Sequence, residues 1–410
     1  MEPADTTAGI LDVHLGDVHA GTLTLLENER VEFVISEEYR QRYPRPVLSQ
    51  SFEDNLTRRY SSRMSLPPFF SNLLPEGPLR KLIAEREQVS HKREFFLIAR
   101  LGEDLPGAVI VRTASALSAS GLDLLEEEPA PGTPHELEPL RFSLAGVQLK
   151  FSMLRKGRGM TLPMGGRGGD WIVKLPDNRF DRVPENEYSM MAWARAVGIT
   201  VPQVELVKVS EVEGLPEGIF LREDLAFAIR RFDRPEPGRR VHMEDMAQVL
   251  GLYSDEKYDK YNYETVANII LRVAGLESLQ EFVRRLVFNI AIGNADAHHK
   301  NWSLLYPDGV HATLSPAYDF VSTLQYLPND ALALNLAKSK RFEDVTLDSF
   351  ERLARKLKLS PDEVLPVVKS TVSATLDTWS SLHPSLPLPD LFKQRIEAHW
   401  KRVPLLQTRT

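Results

Sequence analysis

Gly293-Asn-Ala-Asp-Ala-His-His-Lys-Asn301 is the stretch around which the rest of this chain can be arranged. In the preceding segment, Leu279 to Ile292, apolar residues recur at helical spacing, which predicts a helix with one buried face. Gly293 is the residue type that most often ends such a helix. We therefore expect the polar stretch to be a loop that begins where a buried helix ends.

The segment after this loop predicts a β-hairpin. Trp302 to Tyr306 is an apolar strand, Pro307-Asp308-Gly309 is a turn, and a second strand continues through Leu314. Beyond the hairpin, Tyr318-Asp319-Phe320 places a carboxylate in an apolar setting. We expect the hairpin to return this carboxylate to the polar loop.

Two carboxylates and an amide, Asp296, Asp319 and Asn301, then form a candidate site for a magnesium-bound nucleotide, because Mg²⁺ takes oxygen ligands and shares those of phosphates. In the protein-kinase catalytic loop, the Asp that accepts the substrate's hydroxyl proton precedes a metal-binding Asn by five positions. Asp296 precedes Asn301 by the same interval. Asp319-Phe320 is also similar to the kinase Asp-Phe-Gly, with Val321 in place of Gly. A single Asp-x4-Asn is more often a solvated loop, so the interpretation depends on the rest of the chain.

Composition sets broad limits. A chain of 410 residues that is 42% hydrophobic is expected to form two or three subdomains. Its net charge of −7 argues against a surface generally coated by nucleic acid, but it does not exclude a local basic patch. The absence of cysteine excludes disulfides and thiolate metal sites and fits a reducing compartment. Without a signal-like start or a long apolar run, the chain is expected to be cytoplasmic, with no membrane partner.

The N-terminal part predicts a small subdomain without catalytic groups. Leu11 to Ser36 alternates between apolar and polar residues, with turns at Gly16-Asp17 and Glu27-Asn28, which is typical of an antiparallel sheet. We assign the aromatic pair Phe69-Phe70 and the helices after it to the core of this subdomain. Thr113 to Glu138 contains Pro, Gly, Ser and acidic residues and is interpreted as a linker or exposed loop.

A second unit begins with Phe142-Ser-Leu-Ala-Gly-Val-Gln-Leu-Lys-Phe-Ser152, which alternates like a strand but contains small residues. Small residues allow a backbone to approach phosphates closely, although a turn between two strands would use them equally well. The glycine-rich stretch from Gly157 to Gly169 lacks the Gly-Lys-Ser/Thr of a Walker loop and is interpreted as a hairpin end.

Trp171-Ile-Val-Lys-Leu-Pro176 carries a lysine inside a short apolar strand. Burying an ammonium there is costly unless it meets an anion, such as the phosphates of ATP. Pro184 predicts the start of a helix whose Glu185 or Glu187 would pair with Lys174, as a strand lysine and a helix glutamate do in kinases. A lysine at a strand edge and glutamates favoured by the helix dipole would give the same pattern.

The segment Arg231-Phe232-Asp233-Arg234-Pro235 is a charged turn that follows the last predicted strand of this unit. Its place in the order of elements fits a hinge whose backbone would contact adenine. Val241 to Gln248 is predicted to begin a helix of the larger lobe.

Together these segments resemble the HipA family, whose members are bacterial serine/threonine kinases that act as toxins of type II toxin–antitoxin systems. The resemblance covers nearly the whole chain, and the motifs occur in the family's order. They are Phe69-Phe-Ser-Asn-Leu-Leu-Pro-Glu-Gly77, Phe142-Ser-Leu-Ala-Gly-Val-Gln-Leu-Lys150, Ile172-Val-Lys174-Leu-Pro176, Asn186-Glu-Tyr188, Arg231-Phe-Asp-Arg234, Glu244-Asp-Met246, Asn294-Ala-Asp-Ala-His-His-Lys-Asn301 and Tyr318-Asp319.

The resemblance implies an α+β fold, namely a two-lobed protein-kinase-like fold with a small N-terminal α/β subdomain and a mainly helical C-terminal lobe. The implied divisions are an N-terminal subdomain (1–112), a linker or exposed loop (113–139), an ATP-binding region like a kinase small lobe (140–234) and the helical lobe with the catalytic and metal-binding loops (235–410).

The resemblance also assigns roles. Asp296 would be the catalytic base, Lys300 would neutralise the transferred phosphoryl group, Asn301 and Asp319 would bind Mg²⁺, and Ser143 would be autophosphorylated, which silences the enzyme. The implied ATP-binding residues are Ala145, Gly146, Val147, Gln148, Lys150, Lys174, Arg231, Phe232, Asp233 and His298. Two departures from the family pattern are Leu149, where an acidic residue is frequent, and the missing Gly after Asp319-Phe320.

The function this implies is an ATP- and Mg²⁺-dependent serine/threonine protein kinase that acts as a toxin. It would inhibit growth by phosphorylating a component of translation, such as an aminoacyl-tRNA synthetase. A helix-turn-helix antitoxin would neutralise it, and the complex would bind operator DNA. Candidate contacts with the DNA phosphates are Lys338, Lys340 and Arg341, although an ordinary solvated turn would have the same residues. The alternatives are a catalytically idle kinase-like module that acts as co-repressor with its antitoxin, and a kinase of small molecules.

Overall fold

The structure is a computed structural model of the chain. It describes residues 7–86, 89–114, 149–157, 159–161, 168–215, 219, 221–327 and 330–407. Most of the proposed linker and the segment from Phe142 to Gln148 lie outside the described residues. Five residues with predicted roles are therefore not described: Ser143, Ala145, Gly146, Val147 and Gln148.

The N-terminal subdomain is an antiparallel sheet covered by short helices. Its strands lie in the order β4-β3-β2-β1-β5, so the antiparallel sheet predicted for Leu11 to Ser36 is confirmed. Phe33, Phe69 and Phe70 are buried in its core, where each ring contributes roughly 2–3 kcal/mol. The strands are β1 (Thr7–Leu15), β2 (Val18–Leu26), β3 (Arg30–Ile35), β4 (Tyr60–Arg63) and β5 (Val109–Thr113). The helices are α1 (Glu37–Gln41), α2 (Gln50–Glu53), α3 (Pro68–Ser71), α4 (Gly77–Arg86) and α5 (Glu94–Leu101).

The second unit is a mixed sheet with one long helix packed against it. Among the described residues its strands lie in the order β10-β7-β6-β8-β11-β9. β6 and β8 pair antiparallel with Lys150 directly opposite Lys174, so both lysines project from the same face of the sheet. The elements are β6 (Lys150–Lys156), β7 (Gly159–Thr161), β8 (Trp171–Lys174), α6 (Val183–Ala196), β9 (Val204–Lys208), β10 (Val212–Glu213) and β11 (Leu225–Arg230).

The C-terminal lobe is mainly helical and carries a small sheet ordered β12-β13-β14. The predicted hairpin is confirmed, since β13 and β14 pair with Leu304 opposite Leu314. The strands are β12 (His242–Asp245), β13 (Ser303–Tyr306) and β14 (Thr313–Leu314). The helices are α7 (Met246–Val249), α8 (Tyr263–Ile292), α9 (Leu347–Lys356), α10 (Leu365–Leu382), α11 (Asp390–Trp400) and α12 (Pro404–Gln407). In the described ranges, no helix combines the length and the apolar character that crossing a bilayer requires.

The helix predicted from Val241 is wrong in its first half. His242 to Asp245 forms β12, paired with β13, and only Met246 to Val249 is helical. Asp245 marks the change, because its carboxylate accepts the backbone N–H of Gln248 and starts the helix with a capping box. The strand depends on a partner about sixty residues later in the chain, which a local periodicity cannot reveal.

The predicted helix over Leu279 to Ile292 is confirmed as the second half of α8, and its apolar face is fully buried. Gly275 interrupts α8 with a non-helical backbone, and Gly293 ends it with φ 62°. A Cβ at position 293 would lie 2.5 Å from side-chain carbons of Leu324, so glycine satisfies both the left-handed backbone and the close approach. The polar loop therefore starts from a fixed point at the end of a buried helix segment.

A cluster of tryptophans attaches α6 of the second unit to the helical lobe. The ring of Trp193 lies 4.5 Å from that of Trp379 and 5.2 Å from that of Phe288. Trp193 is fully buried, and truncation of such a ring typically costs about 3–5 kcal/mol. This packing fixes the helix that carries Glu187 relative to the polar loop.

The N-terminal subdomain docks on the rest of the chain through buried polar contacts. Glu244 of β12 accepts hydrogen bonds from the Ser49 hydroxyl at 2.6 Å, the Gln50 backbone N–H at 3.0 Å and the Tyr306 hydroxyl at 2.6 Å. Burial raises the pKa of Glu244 to about 7 against these donors. The interface is therefore specified by hydrogen bonds as well as by apolar area.

Candidate active site

The polar loop is held in shape by its own asparagines. The amide of Asn294 donates to the Asn289 side chain at 2.8 Å and accepts the backbone N–H of Asp296 at 2.9 Å. The Asn301 side chain accepts the backbone N–H of His298 at 3.1 Å. Side-chain amides thus satisfy backbone groups that a helix or strand would otherwise satisfy, so the loop has a defined conformation.

Lys174 of β8 lies between two carboxylates. Its ammonium is 2.6 Å from Glu187 of α6 and also contacts Asp319, in line with the strand–helix pair expected from the sequence. Burial works to lower the pKa of Lys174, but the charges of Asp319 and Glu187 outweigh it and raise that pKa. Burial raises the pKa of Glu187 to about 7. Lys174 is consequently charged at neutral pH and held in place on two sides.

Asp319 faces the polar loop, as the hairpin predicts. Burial works to raise its pKa, but the ammonium groups of Lys174 and Lys150 outweigh burial and lower it to about 2. Its other oxygen accepts from the Asn301 amide at 3.1 Å. The backbone of Asp319 has φ 58°, an uncommon conformation for a residue other than glycine and one found at functional sites.

The donor set at Asn301 and Asp319 fits Mg²⁺ in chemistry, since it combines a carboxylate with an amide. Among the described residues no three His, Asp or Glu side chains meet to form a complete metal site. A bound Mg²⁺ would therefore need additional oxygen atoms, which nucleotide phosphates supply in kinases. The Asn301 amide presents its nitrogen to Asp319, so its oxygen would have to turn towards the metal.

Asp296 is open to solvent and accepts a hydrogen bond from the Tyr258 hydroxyl. Desolvation by the surrounding protein raises the pKa of Asp296, while the Tyr258 hydrogen bond and the Lys257 charge oppose that rise. Sequence reasoning missed Tyr258, because it lies in a polar segment far from the loop in sequence. An accessible carboxylate that accepts a hydrogen bond from one hydroxyl group is suited to accept the proton of a substrate hydroxyl.

Lys300 contacts the N-terminal subdomain, for which the sequence predicted no chemistry. Its ammonium lies 2.9 Å from the Glu76 carboxylate and 2.9 Å from the Asn72 side-chain oxygen. Glu76 also binds Lys257 at 3.2 Å. In the sequence, Asn72 and Glu76 belong to the family-like motif from Phe69 to Gly77, but that resemblance assigned no role to either residue.

Arg231 and Asp233, predicted to contact ATP, bind each other through two hydrogen bonds of 2.9 and 2.7 Å. Both are buried, and Asp233 also accepts the backbone N–H of Gly107 at 2.9 Å. Arg234 donates to the Gly107 carbonyl at 2.8 Å. These side chains connect the turn to the N-terminal subdomain, so a contact with adenine would use the backbone of the turn.

Two further predicted residues lie close to the polar loop. The Phe232 ring is 5.8 Å from that of Tyr318, next to Asp319. His298 is buried against Tyr258, with ring centroids 5.0 Å apart, and burial lowers its pKa to about 3. His298 is therefore a neutral side chain at physiological pH. The structure thus brings Lys174, His298, Lys300, Asn301 and Asp319 to one region around Asp296.

Comparison with known proteins identifies this arrangement. A model of the HipA N-terminal domain matches residues 11–112, and a model of the HipA-like C-terminal domain matches residues 142–379, which is more than half of the chain. The chain belongs to the HipA family. The family resemblance found in the sequence is confirmed, and the chain is a HipA-family kinase homologue.

Relatives of the HipA-family chain include proteins named as kinases. Y4dM of Sinorhizobium fredii, named provisionally as a kinase, is 43% identical over 404 residues, which is 97% of each chain. The serine/threonine-protein kinase toxin HipA of Shewanella oneidensis is 28% identical over 291 residues, or 63% of each chain.

A solved structure confirms the expected α+β fold. HipA of the S. oneidensis toxin–antitoxin system, in a complex with HipB and operator DNA, superposes with a TM-score of 0.72 at 21% identity and covers 97% of this chain and 96% of its own. At this identity the similarity establishes the HipA-like kinase fold only.

Proposed function

We propose that this HipA-family protein is an ATP- and Mg²⁺-dependent serine/threonine protein kinase that acts as the toxin of a bacterial toxin–antitoxin pair. The observation that carries the proposal is the position of the Lys174 ammonium between Glu187 and Asp319, next to Asn301. In kinases, a glutamate on a helix orients the buried lysine that binds the ATP phosphates.

Each residue of the site has a separate task in this proposal. Lys174, with Lys150 opposite it on the sheet, binds phosphate oxygens, since two cations facing each other are stabilised by an anion between them. Asn301 and Asp319 would hold Mg²⁺, which supplies charge neutralisation for the phosphates when bound. Asp296 accepts the proton of the acceptor hydroxyl. Lys300, directly before Asn301 in the chain, would neutralise the transferred phosphoryl group.

Regulation in this proposal involves Ser143 and a partner protein. Phosphorylation of Ser143 adds close to two negative charges to the segment expected to cover the nucleotide, so the segment would be repelled and the enzyme silenced. A helix-turn-helix antitoxin that binds operator DNA would neutralise the kinase, and a component of translation such as an aminoacyl-tRNA synthetase would be the target. Lys340, a candidate DNA contact, donates to the Tyr258 carbonyl at 3.3 Å.

Intact mass tests the proposal directly. Phosphatase-treated wild type and Asp296→Asn are incubated with ATP and Mg²⁺, and peptides around Ser143 are mapped. We expect one phosphate at Ser143 in the wild type and none in Asp296→Asn, because the amide cannot accept the hydroxyl proton. If neither protein gains mass although both bind ATP, the kinase proposal fails and the co-repressor alternative is favoured.

A further inference from the structure

The ammonium of Lys300 is surrounded by oxygen atoms of the N-terminal subdomain. It lies 2.9 Å from the Glu76 carboxylate, 2.9 Å from the Asn72 side-chain oxygen and 3.3 Å from the Asn72 carbonyl. An ammonium group has three N–H donors, which these three acceptors can engage, and the Asp245 carboxylate of the helical lobe lies farther away at 3.6 Å. Asn72 is 228 positions away in sequence, and the contact therefore depends on how the subdomain docks.

Both acceptor side chains are themselves held in position. The Asn72 amide nitrogen donates to the carbonyls of Pro68 at 2.8 Å and Leu252 at 2.7 Å, which turns its oxygen towards Lys300. The second oxygen of Glu76 binds Lys257 at 3.2 Å. A site assembled in this way loses little entropy when it binds the ammonium, because its acceptors are already fixed.

Electrostatics make the contact persistent. Burial works to raise the pKa of Glu76, but the charges of Lys300 and Lys257 outweigh it and hold that pKa well below its usual range. The carboxylates of Asp245 and Glu76 raise the pKa of Lys300 in spite of its burial. The pair is therefore ionised throughout the neutral range, and only 14% of the Lys300 side chain is exposed.

Lys300 is connected to the metal-binding side of the site through its own backbone. Its carbonyl accepts the Tyr318 hydroxyl at 2.8 Å, and Tyr318 precedes Asp319. The next residue, Asn301, donates to the Asp319 carboxylate. A displacement of Lys300 would consequently move both residues that are proposed to hold Mg²⁺.

We propose that Glu76 and Asn72 are positioning residues of the phosphotransfer site, and that the N-terminal subdomain is therefore a part of that site. They act through Lys300 by fixing the turn that carries Asn301. This role rests on the proposed kinase function. It assigns a part in the reaction to the N-terminal subdomain, for which the sequence predicted no reacting residue. It assigns to the docked subdomain a role in the rate of phosphoryl transfer.

The test compares Glu76→Gln with Ser49→Ala, both in the full chain. Ser49 belongs to the same subdomain interface and donates to Glu244, whereas its contacts do not include Lys300. Two readouts are used: the initial rate of phosphate incorporation as a function of ATP concentration, and acetic-anhydride labelling of Lys300 quantified by peptide mass spectrometry. The second readout does not depend on kinase activity.

We expect Glu76→Gln to lower kcat at least about tenfold with the KM for ATP within about twofold, because a displaced catalytic loop affects the reaction more than nucleotide binding. Labelling of Lys300 is expected to increase at least about threefold, because the ammonium loses the closer of its two carboxylate partners, Glu76, and keeps only Asp245 at 3.6 Å. Ser49→Ala should change neither readout, although the loss of its hydrogen bond to Glu244 is expected to lower Tm.

Each other outcome is decisive. An equal loss of kcat in both variants would assign the effect to general loosening of the interface and overturn the positioning role. An unchanged kcat, or unchanged labelling of Lys300, in Glu76→Gln would overturn it as well. If the wild type incorporates no phosphate while Lys300 labelling increases only in Glu76→Gln, the anchoring of Lys300 is supported and the proposed kinase function is the part that fails.

Discussion

Two lysines of the candidate site are anchored in contrasting ways. Lys174 is bound by Glu187, 13 positions later in the same unit, whereas Lys300 is bound by Asn72, 228 positions earlier and in another subdomain. The first anchor forms within a strand and the helix that follows it. The second exists only when the N-terminal subdomain is docked. The site thus combines a locally determined half with a half that depends on tertiary assembly.

Replacement of the two lysines should separate these halves and gives the largest expected effect. Lys174→Met removes the ammonium that lies between the carboxylates of Glu187 and Asp319, and with it the proposed phosphate ligand. We expect phosphorylation to fall at least about a hundredfold, together with ATP affinity. Lys300→Met should lower kcat and leave ATP affinity within about twofold, because the Lys300 ammonium is bound by Glu76 of the N-terminal subdomain.

Nucleotide titration and initial rates check this contrast. Lys208→Met is the matched control, since Lys208 is an exposed lysine of the same sheet and should behave as wild type. Equal losses of ATP affinity in Lys174→Met and Lys300→Met would contradict the division into two halves.

The sequence could predict the local half because its partners are close in the chain. Helical periodicity located α8 up to Ile292, and the glycine located its end. A lysine in an apolar strand followed by a helix indicated a pair of Lys174 with Glu185 or Glu187, and the structure shows that the partner is Glu187. Tertiary pairing, in contrast, turned the predicted helix at His242 into a strand.

The other half escaped prediction for the same physical reason. Glu76 and Asn72 lie in a subdomain with an ordinary apolar core. Their contacts with Lys257 and Lys300 form across the subdomain interface, so the local sequence does not reveal them. Arg231 illustrates the converse case. Its position in the chain predicted a hinge that contacts ATP. In the structure its side chain donates hydrogen bonds to Asp233 and to the Ser152 hydroxyl.

Tyr258 offers a sharper test of the environment of Asp296. Its hydroxyl donates to Asp296, which is also influenced by the charges of Lys257, Asp319 and Lys174. Removing the hydroxyl in Tyr258→Phe removes an influence that lowers the pKa of Asp296, so this pKa should rise. A general base acts only when ionised, and the acid limb of the pH–rate profile should therefore move to higher pH.

The plateau rate at high pH should stay within about threefold of wild type, since Asp296 is ionised there in both proteins. Tyr261→Phe serves as the control, because the Tyr261 ring packs against His299 instead. An acid limb that does not move in Tyr258→Phe, or that moves equally in Tyr261→Phe, would contradict the role of this hydrogen bond.

The smallest expected effect is a pH-dependent change in stability at the interface of the N-terminal subdomain, on which the Lys300 half of the site depends. Burial raises the pKa of Glu244 from 4.5 in the unfolded chain to about 7 in the folded protein, so the folded state retains a proton over this window. Stability contributed by this proton is complete below about pH 4.5 and is lost as the pH rises through 7, at up to roughly 1.4 kcal/mol per pH unit.

Glu244→Gln removes the titration and keeps hydrogen-bonding atoms for Ser49, Gln50 and Tyr306. We expect the Tm of wild type relative to Glu244→Gln to decrease between pH 5 and 7.5, measured by thermal unfolding at matched ionic strength. Glu236→Gln, at an exposed carboxylate, should show no such trend. A constant Tm difference for Glu244→Gln would mean that the buried carboxyl group does not titrate in this window and contributes no pH dependence to the docking of the N-terminal subdomain.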